Sequence, residues 1–199
     1  EFHHEIILIK GARKFGLEKV VDRLQEKIHG TVLEINLDAI SQNLNIYRSC
    51  LSPGTRIMVM VKALAYGSGN IEVANLLQFH RVDYLGVAYT DEGIDLRKNG
   101  ISLPVMIMNP AIDALEKISD FRLEPEIYTI RLLKEIDSWT RKHKKSLRVH
   151  LKFDTGMHRL GFTSHDIPLI KDTLKKNPLI RPVSIFSHLA GADDPAHDP

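Results

Sequence analysis

From residue 56 onward, short apolar runs alternate with stretches of helical period. The runs are "RIMVMVK" (56–62), "VDYLGVA" (82–88), "LPVMIM" (103–108), "LEPEIYT" (123–129), "LRVHLKFD" (147–154) and "RPVSIFSH" (181–188). They are rich in Val and Ile and almost continuously apolar, as strands are when both faces are covered in a parallel sheet. Between them lie amphipathic segments. Thr129 precedes Leu132, Leu133, Ile136 and Trp139. Ser164 is a candidate N-cap ahead of Ile167, Ile170 and Leu174, and Asn99-Gly100 marks a helix stop. Strand starts fall about 20–35 residues apart, room for helical crossovers and too far for hairpins.

The expectation is an α/β fold built from at least six β/α units. Two architectures accommodate them. A (β/α)8 TIM-type barrel needs eight units, so six form a partial barrel with two open edges. The alternative is an open doubly wound sheet, but no G-x-G-x-x-G follows the first strand, which weakens a dinucleotide reading.

Upstream of residue 56 the pattern changes. "TVLEINLDAI" alternates as a half-exposed strand, with Val32, Glu34 and Asn36 opposite Leu33, Ile35 and Leu37. Asp38 is then expected to cap a short helix carrying Ile40, Leu44 and Tyr47. Residues 1–29 read as strand, Gly11 turn and helix, with Phe15, Leu17, Val20, Val21, Leu24 and Ile28 on one face and Gly30 as the stop. Such a segment cannot bury its apolar face alone. The chain is therefore divided at sequence level into 1–29, 30–55 and 56–199. The strand-like opening and the loop-like "GADDPAHDP" ending suggest a piece of a longer polypeptide.

Composition narrows the functional classes. The chain has 199 residues, 43% hydrophobic and 26% charged, with formal net charge +2, so nothing points to nucleic acid or an anionic membrane as partner. Cys50 is the single cysteine, which rules out an intrachain disulfide and a thiolate metal cluster. No run approaches the ~18 apolar residues of a membrane span, and "EFHHEIILIKG" lacks the basic leader of a signal peptide. A soluble cytoplasmic protein is expected.

Three strand ends carry candidate chemistry. Lys62 ends the first run and is followed by Tyr66, Gly67 and Gly69. A partly desolvated lysine at the C-terminal rim of a β/α series can act as a base or condense with a carbonyl. The glycines would let the backbone approach an anion and offer it N–H groups. A snorkelling lysine beside an ordinary turn is an equal competitor. "LKFDTGMHRLGF" (151–162) gathers Lys152, Asp154, His158 and Arg159 at another strand end, a costly arrangement unless the groups pair with each other or with a ligand. "FSHLAGAD" (186–193) places His188 at a third. His3-His4 is too short for a metal site, and "RKHKK" (141–145) reads as a solvated helix end.

At these residues a resemblance becomes specific. "VMVKALAYGSG" is similar to the lysine motif of alanine racemases, V-V-K-A-N-A-Y-G-H-G. "KFDTGMHRLGF" resembles their D-T-G-M-x-R-L-G, and "FSHLAGAD" their T-H-F-A-x-A-D. Order and spacing agree across residues 31–199. The resemblance implies a pyridoxal 5'-phosphate enzyme whose barrel precedes a β-rich domain, to which the strand at 31–37 would belong. Lys62 would hold the cofactor and act as base on one face of the amino acid. Tyr66 would contact the phosphate, Arg159 the ring oxygen, and His188 would lie beside the ring. Lys152 matches a position that is carbamylated in some relatives, where it steadies that arginine. The resemblance further implies alanine as substrate and a homodimer whose partner supplies a tyrosine as second base, from beyond Pro199. The fragment alone is then expected to be inactive. Leu64 departs from the usual Asn, and Ser68 from the usual His. The same barrel also occurs in non-catalytic cofactor-binding modules, serine racemases and amino-acid decarboxylases.

"EIILIKGARKFGLEKVVDRL" resembles the C-terminal end of the Mur ligase that adds D-alanyl-D-alanine to the cell-wall precursor. This implies a ligase–racemase fusion in peptidoglycan precursor synthesis. ATP and Mg would serve only the ligase portion, which the chain does not contain.

Overall fold

The computed structural model describes residues 33–191. The chain divides into two compact units, 1–35 and 36–199, and the fold below is that of the second. The strand, turn and helix expected in residues 1–29 lie outside the described residues.

Six strands form one parallel sheet: β1 (Met58–Met60), β2 (Tyr84–Val87), β3 (Val105–Ile107), β4 (Glu124–Ile127), β5 (Leu147–Lys152) and β6 (Ile180–Phe186). Each falls inside or against an apolar run read from the sequence. Their order in the sheet is β1-β2-β3-β4-β5-β6, every neighbour parallel. A doubly wound sheet reverses direction at a switch point, whereas a barrel adds each strand on the same side of the last. The unbroken order therefore identifies six units of a barrel wall. Among the described residues nothing pairs with the outer edges of β1 and β6.

The helices are α1 (Leu37–Ser49), α2 (Asn70–Phe79), α3 (Thr90–Lys98), α4 (Leu115–Asp120), α5 (Ile130–His143) and α6 (Ile167–Lys176). Their caps explain their limits. In α5 the Leu132 N–H donates to Thr129 Oγ1 at 3.2 Å, and Leu132, Leu133, Ile136 and Thr140 form the buried face. α3 stops at Asn99, followed by Gly100 at φ +84°. The basic residues after Thr140 are mostly solvated, and Lys145 pairs with Asp120 at 2.8 Å.

Two expected caps are corrected. The α1 cap is Asn36, not Asp38: Asn36 Oδ1 accepts the Ala39 N–H at 3.0 Å, and Asp38 sits in the first turn. Ser164 is the first residue of a 3-10 turn (Ser164–Asp166), and Thr163 caps it, its N–H and hydroxyl both donating to Asp166 Oδ2. In each case two neighbouring residues had a side chain able to cap, and only the backbone direction selects between them. Of the strand expected over 31–37, residues 31–32 lie outside the described residues. Residues 33–36 have no regular structure and Leu37 already begins α1. Among the described residues no strand pairs with this segment, and alternation alone does not make a strand.

Along the wall, alternate residues face the helices and the barrel interior. In β5, Leu147, Val149 and Leu151 join the apolar core under the helices. Arg148, His150 and Lys152 point inward, toward Glu124, Glu126 and Tyr84. The outer layer is thus an ordinary hydrophobic core, while the inner face of β4 and β5 is charged. Gly86 has no side chain because Met60 fills its place: a Cβ there would lie 2.5 Å from Met60 Sδ.

Candidate functional site

The C-terminal ends of the strands gather the chemistry. A cavity of about 510 Å³ opens there. It is lined by Lys62, Tyr66, Lys152, Arg159 and His188, with Met58, Met60, Met106, Met108 and Phe186 as apolar walls, His150 and Ser184 on the inner faces of β5 and β6, and Arg56 and Tyr84 toward the N-terminal strand ends. All five residues singled out as site candidates therefore share one cavity. Lys62 is half-buried, Lys152 is buried, and Tyr66, Arg159 and His188 are exposed at the mouth.

Lys62 follows β1 directly. Val61 is buried and its N–H donates to Gly86 O at 2.8 Å, so the strand ladder holds the chain up to the lysine. Beyond Lys62 the backbone reverses hand. Ala63, Leu64, Ala65 and Tyr66 all have φ between +51° and +57°. Four consecutive L-residues in this region form one left-handed helical turn, at a cost of roughly 1–2 kcal/mol each. The turn swings Tyr66 back toward the lysine, whose Nζ lies 5.9 Å from the tyrosine ring centre.

Glu92 of α3 clamps this strained turn. Its Oε1 accepts the Ala63 N–H at 2.7 Å, and its Oε2 accepts those of Ala88 and Tyr89 at 2.7 and 3.0 Å. Sequence reasoning missed Glu92. Acidic residues in a first helical turn are routine, and the link to Ala63 spans 29 positions.

The expected role of Gly67 and Gly69 is corrected. Their N–H groups are already used: Gly67 donates to Ala63 O and Leu64 O, and Gly69 to Leu64 O at 2.9 Å. Neither is free for an anion. The glycines are needed because their φ values are +89° and +88°, which lets the chain leave the left-handed turn and enter α2. Leu64 gains little in return for its strain, being exposed with φ +56°. Asn tolerates this region far better than Leu. Leu64→Asn should raise stability by about 0.5–1 kcal/mol, seen as a higher denaturation midpoint at unchanged m. An unchanged or lower midpoint would show that the turn carries no strain at Leu64.

The loop 153–162 is closed on itself. Phe162 N–H donates to Lys152 O at 2.8 Å and Asp154 N–H to Phe162 O at 2.9 Å. Asp154 Oδ1 accepts the N–H groups of Gly156 and His158, both at 3.0 Å. Those backbone hydrogen bonds hold the Asp154 carboxyl below the ordinary carboxylate range. The polar cluster read from the sequence therefore separates into two roles. Asp154 shapes the loop, His158 is solvent-exposed beside it, and only Lys152 and Arg159 face the cavity.

Lys152 Nζ lies 3.2 Å from Glu126 Oε1, and both side chains are almost fully buried. Burial pushes the Glu126 carboxyl up, against the pull of Lys152 and Arg159. Below this pair, His150 bridges two residues: Nδ1 meets Ser184 Oγ at 2.7 Å and Nε2 meets Glu124 Oε2 at 3.0 Å. Arg148 Nε donates to Glu124 Oε1 at 2.7 Å. Burial works to raise the Glu124 pKa, but the hydrogen bonds from His150 and Arg148 outweigh it and the carboxyl stays below its ordinary range.

Can the cavity take pyridoxal 5'-phosphate? It offers an amine at the rim, cationic groups for a dianion, a phenol at its mouth and apolar walls for a ring. The residues fit the group. Among the described residues no cluster of three or more His, Cys, Asp or Glu could hold a metal ion, and no helix is long and apolar enough to cross a membrane.

Fold and site together define a β/α-barrel protein with a lysine-centred cationic cavity at the strand C-termini. Residues 35–199 match the family described as alanine racemase, N-terminal domain, and the chain belongs to it. It is 34% identical over 167 residues to alanine racemase 2 of Bacillus subtilis, covering 82% of this chain and 42% of that protein. It is 36% identical over 165 residues to an amino-acid racemase of Enterococcus faecalis, covering 81% of this chain and 22% of that one. Among solved structures, the alanine racemase of Clostridium difficile 630 superposes with a TM-score of 0.76 at 34% identity, over 82% of this chain and 45% of the other. The chain thus spans less than half the length of these relatives. The cofactor expected from the sequence, pyridoxal 5'-phosphate, is the cofactor of the family to which the chain belongs. The ligase-like resemblance of the N-terminal segment falls outside both the family match and the described residues.

Proposed function

We propose that this chain supplies the cofactor-binding barrel region of an alanine racemase, which interconverts L- and D-alanine in a homodimeric enzyme. The observation that carries the reading is the convergence of Lys62, Tyr66, Lys152, Arg159 and His188 on one cavity at the barrel rim.

When bound, pyridoxal 5'-phosphate withdraws electrons from the Cα of an attached amino acid and so acidifies its Cα proton. The chain's own groups divide the remaining work. Lys62 Nζ would hold the cofactor and would carry the proton to and from one face of Cα. The Tyr66 hydroxyl would bind the phosphate. Arg159 would contact the ring oxygen, in the same cavity as the Lys152–Glu126 pair. His188, which lines the same cavity, would lie beside the ring. The methionines and Phe186 exclude water from the reacting face. The second proton-handling group, on the opposite face, is assigned to the partner subunit. The Mur-ligase-like N-terminal segment favours a place in peptidoglycan precursor synthesis, with D-alanine passed to a ligase portion of the same polypeptide.

The test is spectroscopic. Full polypeptide mixed with pyridoxal 5'-phosphate should develop an absorption band near ~420 nm, and borohydride should fix the cofactor to the peptide containing Lys62. Rates on L-alanine and L-serine then separate an alanine enzyme from a serine enzyme. Absence of the band, or reduction onto another lysine, would overturn the assignment.

A further inference from the structure

Glu126 is a fully buried acid beside the site that the proposed reaction does not use directly. Its side chain has no solvent exposure, and no well-aligned hydrogen bond reaches either carboxylate oxygen. A wholly buried carboxylate without hydrogen bonds is strongly unfavourable unless a cation compensates it. The compensating cation is Lys152, 3.2 Å away, itself buried. A second cavity of about 210 Å³ joins Glu126 and Lys152 to Lys62 and Arg159, so one acid faces three cations.

This arrangement bears on the chemistry open to Lys152. Carbamylation requires a neutral amine: the nitrogen attacks the carbon of CO2, a C–N bond forms, and the nitrogen's proton leaves to solvent. The product exchanges a positive group for a negative one. Glu126 opposes both requirements. As a carboxylate it favours the protonated, non-nucleophilic amine, and it would stand against the new anion at close range. Two carboxylates facing each other in a buried site cost far more than one carboxylate facing an ammonium.

We propose that Glu126 is a positioning residue that supplies, from within the chain, the negative charge beside Lys152 and Arg159, so that Lys152 remains an unmodified amine and takes up no CO2. The state of Lys152 follows from the barrel interior alone. Only the benefit to Arg159 rests on the functional reading above.

The experiment is 13C NMR of the full polypeptide in 13C-bicarbonate, without added cofactor, so that its outcome is independent of racemase activity. The native protein should show no protein-bound carbamate resonance. Glu126→Gln removes the charge while keeping the shape, leaves Lys152 uncompensated and should gain one carbamate carbon per chain. Glu126→Asp, which restores a carboxylate, should lose it again, as should Glu126→Gln combined with Lys152→Ala. Fixation of the cofactor to the Lys62 peptide by borohydride should become bicarbonate-dependent in Glu126→Gln and remain bicarbonate-independent in the native protein. A carbamate on Lys152 of the native protein would overturn the proposal, and that measurement needs no variant to fold. A folded Glu126→Gln with no carbamate would overturn it equally. Failure of the cofactor to bind Lys62 at all, with the carbamate pattern as expected, would sink the functional reading and leave the Glu126 assignment standing.

Discussion

Lys62→Ala should lower kcat/KM of the full polypeptide on L-alanine by on the order of 10⁴-fold or more, about 5 kcal/mol of transition-state stabilisation. The size of the effect follows from two tasks resting on one nitrogen, holding the cofactor and moving the Cα proton. The discriminating companion is Lys62→Arg. If Lys62 merely snorkels at a strand end or supplies positive charge, arginine should restore most of the rate. If its nucleophilicity and proton transfer matter, arginine should be as inactive as alanine, because its guanidinium stays protonated. Restoration by Lys62→Arg to within about tenfold of native would overturn the assignment. The structure gives the reason that no other amine should substitute. Lys62 is fixed between the Val61–Gly86 ladder bond and the Glu92 clamp on Ala63. Lys152, the other lysine lining the cavity, is buried against Glu126.

Gly161→Ala carries the second large expectation, a loss of about 3 kcal/mol or more of stability together with weakened cofactor binding. A Cβ at Gly161 would lie 2.3 Å from the Asp154 backbone nitrogen and 2.6 Å from the Phe153 carbonyl carbon. Both neighbours are main chain, so no rotamer change relieves the overlap. The φ of +143° adds strain for any side chain. The collision falls where Asp154 N–H bonds Phe162 O, the contact that closes the loop presenting Arg159. Gly156→Ala is the internal control. Its φ is +135°, yet nothing lies within 4 Å of the added carbon. It should cost only about 1–2 kcal/mol, and the difference between the two isolates the backbone collision from the dihedral strain. Thermal melts of both variants make the comparison, each kcal/mol corresponding to about 2–4 °C for a chain of this size. Equal losses would mean that the loop is not closed as described.

These residues also show how far the chain could be read without coordinates. Strand positions were legible because six short runs rich in Val, Ile and Leu recur at crossover spacing, even though part of β1 and β6 is exposed in the structure. Parallel pairing was legible from crossover length. Spacing alone left the doubly wound alternative open, because it does not say on which side of a sheet the next strand is added; the family resemblance pointed to the partial barrel, and the strand order bears it out. The candidate residues Lys62, Tyr66, Lys152, Arg159 and His188 were legible because polar groups at the ends of buried strands are conspicuous, and because their motifs resemble one family in order and spacing.

What the sequence by itself determined is therefore local and periodic: strand positions, the Thr129 cap and the Asn99-Gly100 stop, and the residue types at the barrel rim. The tertiary structure alone decided the rest. It distinguished Asn36 from Asp38 and Thr163 from Ser164 as caps, because capping depends on backbone direction more than on residue type. It showed that Gly67 and Gly69 relieve a left-handed turn and do not present free N–H groups, because that turn's hydrogen bonds consume them. It separated Asp154 and His158 from Lys152 and Arg159 within a single motif. It brought Glu92 to Ala63 across 29 positions and Glu126 to Lys152 across neighbouring strands. Burial and pairing between distant residues are properties of the assembled wall, and no window along the chain contains them.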